Sequence, residues 1–166
     1  MNQHWFSSTK TIDDEIRERF FDIWQDAQTG KYQSSQSSAT GALALCIILD
    51  QLPLNMFRGK AKSFSTEQQA IDVSKHAIKK QLDNKLNDTQ VAFLYMPLMH
   101  SENLEDQQLS VHSFEKRQIE GNLRFAKHHY GIIKKFGRFP HRNKILQRTS
   151  TAEEIAYLHS NEAFTG

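Results

Sequence analysis

The segment Lys127–Arg148 carries the densest positive charge in the chain. It holds seven lysines and arginines and no carboxylate. Arginine presents a planar fork of N–H donors, and two arginines beside a histidine can hold a carboxylate or a phosphate. We therefore predict that this segment lines a pocket for an anionic group, using the side chains of His129, Arg138, His141, Arg142 and Asn143.

Ordinary structural charge is the alternative explanation for the same segment. Arginines often tie helix ends to acidic neighbours, and such ion-pair networks are common in helical proteins. The lysines of the segment are expected to point into solvent. The aromatic residues between the charges have helical spacing, which favours a place in the core over base stacking.

A second polar group consists of His100, Glu102 and Asp106. If this region were helical, the two carboxylates would share one face. They could then serve as hard oxygen ligands for a metal or as acid and base groups. Their spacing matches no established metal motif, so no metal is predicted. We expect these carboxylates to pair with Arg138 and Arg142.

The third polar group is Asp50 with Arg58. Asp50 ends an apolar helical segment, where a carboxylate opposes the helix dipole, and Arg58 is the expected partner. The pair is either an anchor for the loop at Pro53 or an acid in the pocket with a pKa raised by burial. Cys46 lies among apolar residues and is expected to fill the core. No phosphate loop, nucleophile elbow or dinucleotide fingerprint occurs, so no cofactor is predicted.

The elements that position these groups are predicted to be helices. Apolar residues recur at helical spacing, and the segment Gly41–Gln51 is apolar on every side, as in a central helix that Pro53 should end. Cap and stop signals are Thr11, Gly30, Ser65 with Gln68, Asn87 or Asp88, a break near Gly121–Asn122, Gly137, and Ser150 with Glu153.

The fold predicted from these signals is an all-α antiparallel helical bundle or superhelix of about seven helices. Short polar links favour antiparallel neighbours, and no hairpin signal occurs. At 166 residues one domain over 1–166 is expected, and the net charge of +2 argues against nucleic acid or membrane as a partner. The N-terminus lacks a signal-peptide pattern and the longest apolar run, Ala42–Leu49, is too short to span a bilayer, which predicts a cytoplasmic protein.

Three segments and the C-terminal stretch STAEEIAYL together resemble one bacterial family. These segments are LDQLPLNMFRG (Leu49–Gly59), FLYMPLMHSENLEDQ (Phe93–Gln107) and HYGIIKKFGRFPHRN (His129–Asn143). They are similar to the family described as domain of unknown function 924, and the resemblance implies a tetratricopeptide-like helical fold without an established activity. Leu54 stands where that family usually has an arginine, so a ligand contact made by that arginine would be lost.

Two functions are compatible with these observations. The leading hypothesis is a binding protein whose arginine- and histidine-rich pocket takes an anionic group of a peptide or a small molecule. The alternative is a hydrolase in which His129 or His141 acts as general base and an arginine stabilises the developing oxyanion. A scaffold without any small-molecule site would instead direct its basic residues to solvent.

Overall fold

The computed structural model describes residues 9–164, so most of the N-terminal segment discussed above lies outside the described residues. Within that range the protein is all-helical and contains no strand. Its helices are α1 (Lys10–Gln28), α2 (Ala39–Cys46), α3 (Leu52–Met56), α4 (Glu67–Lys79), α5 (Asp88–His100), α6 (Leu104–Lys116), α7 (Glu120–Phe136) and α8 (Ala152–Leu158).

A π turn at Ile47–Gln51 joins α2 to α3, so that Ala39–Met56 is one continuous helix of 18 residues. Over residues 9–164 the structure therefore has seven helices, and the prediction of an all-α protein with about seven helices is confirmed. The tetratricopeptide-like description is not confirmed.

The chain forms two compact units, a first unit (Met1–Leu98) and a second unit (Met99–Gly166). In the first unit α1 packs against α3, and α2 packs against α4. A cluster of Trp24, Leu52, Met56 and Phe57 forms part of its core. In the second unit α6 packs against α7, and a smaller cluster forms around Ile132, Ile133 and Phe139. A single domain over residues 1–166 stays a prediction.

The prediction that Pro53 ends the apolar helix is wrong. Proline lacks an N–H, and its ring clashes with the carbonyl group four residues earlier, which here belongs to Leu49. The π turn absorbs this defect, because Leu52 N–H donates to the carbonyl of Ile47 five residues back. The Leu49 carbonyl accepts the hydroxyl of Thr66 at 2.6 Å. The helix therefore continues through the proline.

Thr66 has a second bond that explains another difference from the sequence prediction. Its hydroxyl accepts the indole N–H of Trp24 at 3.1 Å, and it is completely buried. Thr66 is also the N-cap residue of α4, although its side chain makes no capping bond. The predicted capping box of Ser65 with Gln68 is therefore wrong, and the Ser65 hydroxyl instead donates to the carbonyl of Lys62.

Two further N-caps differ from the predictions by one or two residues. Thr9 rather than Thr11 caps α1, and Thr151 with Glu154, rather than Ser150 with Glu153, forms the capping box of α8. The box is fixed at Glu154 because this carboxylate is also held by an arginine described below. The predicted Asn87 cap is observed, since its side chain accepts the N–H of Gln90 at 3.0 Å.

The helix Ala39–Met56 is long and apolar enough to cross a membrane when judged by length and composition alone. However, 61% of it is buried inside the chain, which is typical of the core helix of a soluble protein. Cys46 lies in this helix with no exposed surface, and burial raises the pKa of its thiol well above the ordinary value. The prediction that Cys46 fills the core is confirmed.

Candidate functional site

Glu102 forms the first ion pair of the second unit, with Arg148. The carboxylate accepts two guanidinium nitrogens, at 2.6 and 2.9 Å, and also the main-chain N–H of Phe139 at 2.8 Å. Burial alone would raise the pKa of Glu102, but the bonds from Arg148 and Phe139 outweigh it and lower the pKa. Glu102 is therefore an ionised anchor between the turn before α6 and the segment after α7.

Arg138 forms the second ion pair, with Glu154 of α8. Its guanidinium donates to both carboxylate oxygens, at 2.6 and 2.9 Å, and to the main-chain carbonyl of Thr149 at 3.0 Å. The bond from Arg138 is the main reason why the pKa of Glu154 is lowered to about 2. The prediction that Glu102 and Asp106 pair with Arg138 and Arg142 is thus wrong for Arg138.

Asn143 connects the two ion pairs. Its amide nitrogen donates to Glu154 at 3.2 Å and to the hydroxyl of Ser150 at 3.0 Å, while its amide oxygen accepts Arg148 at 3.0 Å. Asn143 is 1% exposed. Glu154 and Arg148 were not among the site residues predicted from the sequence. Glu154 neutralises the charge of Arg138, and Arg148 neutralises the charge of Glu102.

Asp106 lies in the first turn of α6, whereas Glu102 lies before the helix begins. The two carboxylates therefore do not share a helix face. Asp106 is buried and accepts the hydroxyl of Ser101 at 2.7 Å. The nearby Gln107 amide nitrogen donates to the carbonyls of Met99 and Ser101, each at 2.7 Å. These bonds hold the link between α5 and α6 in one conformation.

Two histidines pack against Phe139. The ring centroids of His129 and His141 are each 5.5 Å from that of Phe139. The guanidinium carbon of Arg142 lies over the same ring, 4.7 Å from its centroid, and Arg142 also donates to the carbonyl of His100 at 2.8 Å. We call His129, His141 and Arg142 with Phe139 the histidine cluster.

The polar atoms of the two imidazoles differ in their partners. Nδ1 of His129 lies 2.7 Å from the carbonyl of Phe125, so this nitrogen donates and the lone pair of the neutral ring is on Nε2. Nδ1 of His141 is buried and makes no hydrogen bond with any residue that the structure describes. A buried polar atom without a partner is rare in folded proteins, which makes this atom a candidate contact for a ligand.

The electrostatic environment keeps both imidazoles neutral. Burial lowers the pKa of His129 to about 4; the bond to the Phe125 carbonyl opposes this shift, and the charges of His100, His128 and Arg142 add to it. Burial also lowers the pKa of His141 to about 4, helped by the positive charge of Arg142 and by His129. The cluster thus holds the positive charge of Arg142 beside two imidazoles that burial keeps neutral.

The remaining predicted residues, Asp50 and Arg58, lie in the first unit. Arg58 does not pair with Asp50 but with Asp13, at 2.7 and 3.2 Å, and it donates to the side-chain oxygen of Asn55 at 2.7 Å. Asp50 is buried and accepts the amide nitrogen of Gln51. Arg58 therefore fastens α1 to the end of α3, and Asp50 belongs to the polar lining of the π turn.

Other sites offer less chemistry. Among residues 9–164 no group of three or more histidine, cysteine or carboxylate side chains is arranged to hold a metal. Two hollows of about 160 Å³ each lie away from the predicted residues, one beside Gln33 and Asp72 and one beside His112 and Tyr130. The lysines of the basic segment are exposed, as predicted.

Comparison with known proteins agrees with the fold and the sequence motifs. The model of a family described as "bacterial protein of unknown function (DUF924)" matches residues 1–162. A solved structure of a protein of unknown function from Agrobacterium tumefaciens, ATU0120, is similar with a TM-score of 0.89 and 34% sequence identity, covering 95% of this chain and 89% of that one. No curated protein matches the chain. This chain therefore belongs to the DUF924 family of bacterial proteins.

Proposed function

We propose that the second unit binds an anionic group of a peptide or a small molecule at the histidine cluster. The observation that carries the proposal is the buried Nδ1 of His141, which has no hydrogen-bond partner among residues 9–164. A carboxylate or phosphate oxygen is the complementary ligand, because it accepts an N–H from the imidazole and lies near a guanidinium.

The charges around the cluster support an anion over a neutral ligand. Arg142 is 5% exposed, and it lowers the pKa of both neighbouring histidines. A negative charge placed between these groups would reverse that effect, because an opposite charge favours the protonated form of an imidazole. Binding of an anion should therefore raise the pKa of His129 and His141 and take up protons.

The proposed site contains fewer residues than the pocket predicted from the sequence. Arg138 and Arg148 direct two nitrogens each to Glu154 and Glu102. An anion could bind these arginines only by displacing a carboxylate that already accepts two hydrogen bonds from each of them. Arg138, Glu102 and Asn143 are accordingly assigned to the framework, and the histidine cluster to the ligand.

The test is a titration of the histidine rings by NMR with acetate and with inorganic phosphate. Binding should raise the pKa of His129 and His141 by about one unit or more, since an opposite charge within hydrogen-bonding distance shifts a pKa by about one to three units. His141→Phe keeps a ring against Phe139 and should abolish the shift of His129.

The matched control is His159→Phe. Nδ1 of His159 also bonds to the carbonyl four residues earlier, at 2.8 Å, but this side chain is exposed and lies outside the cluster. This variant should bind the anions as the unaltered protein does. If the imidazole pKa values do not change with either anion at millimolar concentration, the proposal is wrong.

The hydrolase alternative is supported by one observation, the orientation of His129. Because its Nδ1 donates to the carbonyl of Phe125, the lone pair of the neutral ring is on Nε2, where a general base accepts a proton. A pKa of about 4 makes this imidazole a weak base at pH 7. Binding is therefore the better-supported function.

A screen of esters, phosphoesters and amides separates the two functions. Turnover that is lost in His129→Gln and kept in His159→Gln would establish the enzyme. Stoichiometric binding of an anion without turnover would establish the binding protein.

A further inference from the structure

The ring of Phe164 covers the histidine cluster. Its centroid lies 4.4 Å from that of His129, 5.1 Å from that of His141 and 6.5 Å from that of His128, and the rings meet at steep angles of 65° to 80°. Such edge-to-face contacts are the preferred geometry of aromatic pairs. The two neutral imidazoles, together with Phe139, therefore form a receptor for one aromatic ring.

The segment that carries Phe164 is held by local hydrogen bonds, which among the described residues reach back no further than the last turn of α8. It follows the end of α8 at Leu158 and contains no regular secondary structure beyond a turn. The N–H of Phe164 donates to the hydroxyl of Tyr157 at 2.9 Å, and the N–H of Ala163 donates to the carbonyl of Ser160 at 3.2 Å. Phe164 itself is only partly buried. Residues 159–162 are exposed, and a segment whose hydrogen bonds are local and exposed opens at low free energy.

We infer that the ligand of the histidine cluster is an aromatic carboxylate, such as a peptide with an aromatic residue beside a carboxylate, and that its ring replaces the ring of Phe164. This inference rests on the proposed function. The anion supplies the acceptor for His141, and the ring of the ligand makes the contacts with His129 and His141 that Phe164 makes in the structure. The chain thus carries its own competitor for the aromatic half of the site.

A competitor within the chain weakens the apparent affinity by the fraction of molecules in which the site is open. Removing the ring should therefore strengthen the binding of an aromatic acid and leave a small aliphatic acid unaffected. The probes are 3-phenylpropanoate, propanoate and the uncharged 3-phenylpropanamide, titrated by calorimetry and by histidine NMR into the complete chain and into Phe164→Ala.

The control variant is Phe125→Ala, which removes a phenylalanine ring that is 48% exposed and not part of the cluster. We expect Phe164→Ala to bind 3-phenylpropanoate about tenfold more tightly than the unaltered chain does, as loss of a competitor populated about 90% of the time would produce. Phe125→Ala should not change the affinity, and propanoate should bind all three proteins equally.

The outcomes separate this inference from the proposed function. If propanoate and 3-phenylpropanoate bind with equal affinity and Phe164→Ala changes neither, the cluster binds anions but does not receive a ring, and the inference is wrong while the proposed function stands. If the amide binds as well as the acid, the site receives a ring without needing the anion, and both the inference and the proposed function are wrong. If no probe binds to folded Phe164→Ala, both the inference and the proposed function are wrong.

Discussion

Mild acid should destabilise this protein through His129 and His141. Both have a folded-state pKa of about 4, against 6.5 for the unfolded imidazole. Between these values the unfolded chain binds more protons than the folded one, so the free energy of unfolding decreases as the pH falls. The effect is absent well above pH 6.5 and complete below pH 4, where both states are protonated.

The size of the effect follows from the pKa difference. One pH unit corresponds to about 1.4 kcal/mol for each proton taken up on unfolding, and pH 5 lies about 1.5 units below the unfolded pKa. Each histidine should therefore destabilise the protein by about 2 kcal/mol between pH 7 and pH 5. The carboxylates with lowered pKa values, Glu102 and Glu154, act mainly below pH 4.5, so the chosen interval isolates the histidines.

Urea unfolding followed by far-UV circular dichroism at pH 7 and pH 5 measures this difference. The unaltered chain should lose about 2 to 4 kcal/mol, the upper value applying if the two imidazoles titrate independently. A variant with His129→Gln and His141→Gln should not show this loss of about 2 to 4 kcal/mol in the free energy of unfolding, because glutamine keeps a polar side chain and does not titrate. His159→Gln, at an exposed histidine, is the control and should behave like the unaltered chain.

The comparison between variants also removes every contribution that the two proteins share. Arg142 and His100, which face the cluster from the segment after α7 and from the end of α5, are present in both. If the double variant and the unaltered chain lose the same free energy between pH 7 and pH 5, the two imidazoles are not held neutral by burial. The electrostatic basis of the proposed anion site would then fail as well.

Three further substitutions test single contacts in the two units by urea denaturation. Glu102→Gln removes the carboxylate charge from the Glu102–Arg148 ion pair, whose side chains are only 25% and 24% exposed. The variant should lower the free energy of unfolding by about 2 kcal/mol. A loss below about 0.5 kcal/mol would show that the pair contributes no more than a surface ion pair does. Thr66→Val leaves an indole N–H and a helix carbonyl unpaired and should cost about 2 kcal/mol, whereas Thr66→Ser should be nearly neutral. Gly41→Ala places a methyl group against the main-chain carbonyl of Ser35 and should lower the free energy of unfolding by about 1–3 kcal/mol. Gly131→Ala meets open space and should stabilise α7 slightly. Equal changes in the free energy of unfolding for the two variants would refute this reasoning.

The helices could be predicted from sequence because the signals that define them are local. Apolar spacing gives the buried face of a helix, and Gly137 ends α7 in the left-handed conformation with φ of 69°. The break between α6 and α7 lies a few residues before the predicted glycine, at a glutamine with positive φ, Gln118. A rare backbone conformation of glutamine gives no signal in the sequence.

Capping residues were harder to place because side chains compete for them. The hydroxyl of Thr66 bonds to Trp24, 42 residues away in the chain, and so it is not available to the helix that it begins. Glu154 completes a capping box and at the same time accepts Arg138. In both cases a distant partner decides which of several neighbouring residues acts, and local sequence does not show that partner.

The pairing of charges was the least predictable part of the site. Residues 127–148 contain no carboxylate, so every arginine there must find its partner elsewhere in the chain. Arg148 finds Glu102, 46 residues away, and Arg138 finds Glu154, 16 residues away. Sequence shows that partners are needed but does not say which carboxylate reaches which guanidinium.

This pairing changes what the basic motif implies about function. A dense cluster of arginines in a sequence favours an anionic ligand only if the charges are not compensated in the fold. Here two of the arginines, Arg138 and Arg148, are paired with Glu154, which the sequence did not single out, and with Glu102, which was expected to pair with Arg138 or Arg142. What remains for a ligand is the uncharged part of the motif, where burial next to Arg142 holds His141 neutral and leaves its Nδ1 without a partner among the described residues. Under the proposed function, the capacity of the motif to bind an anion therefore lies in its histidines, which would gain their charge when the anion binds.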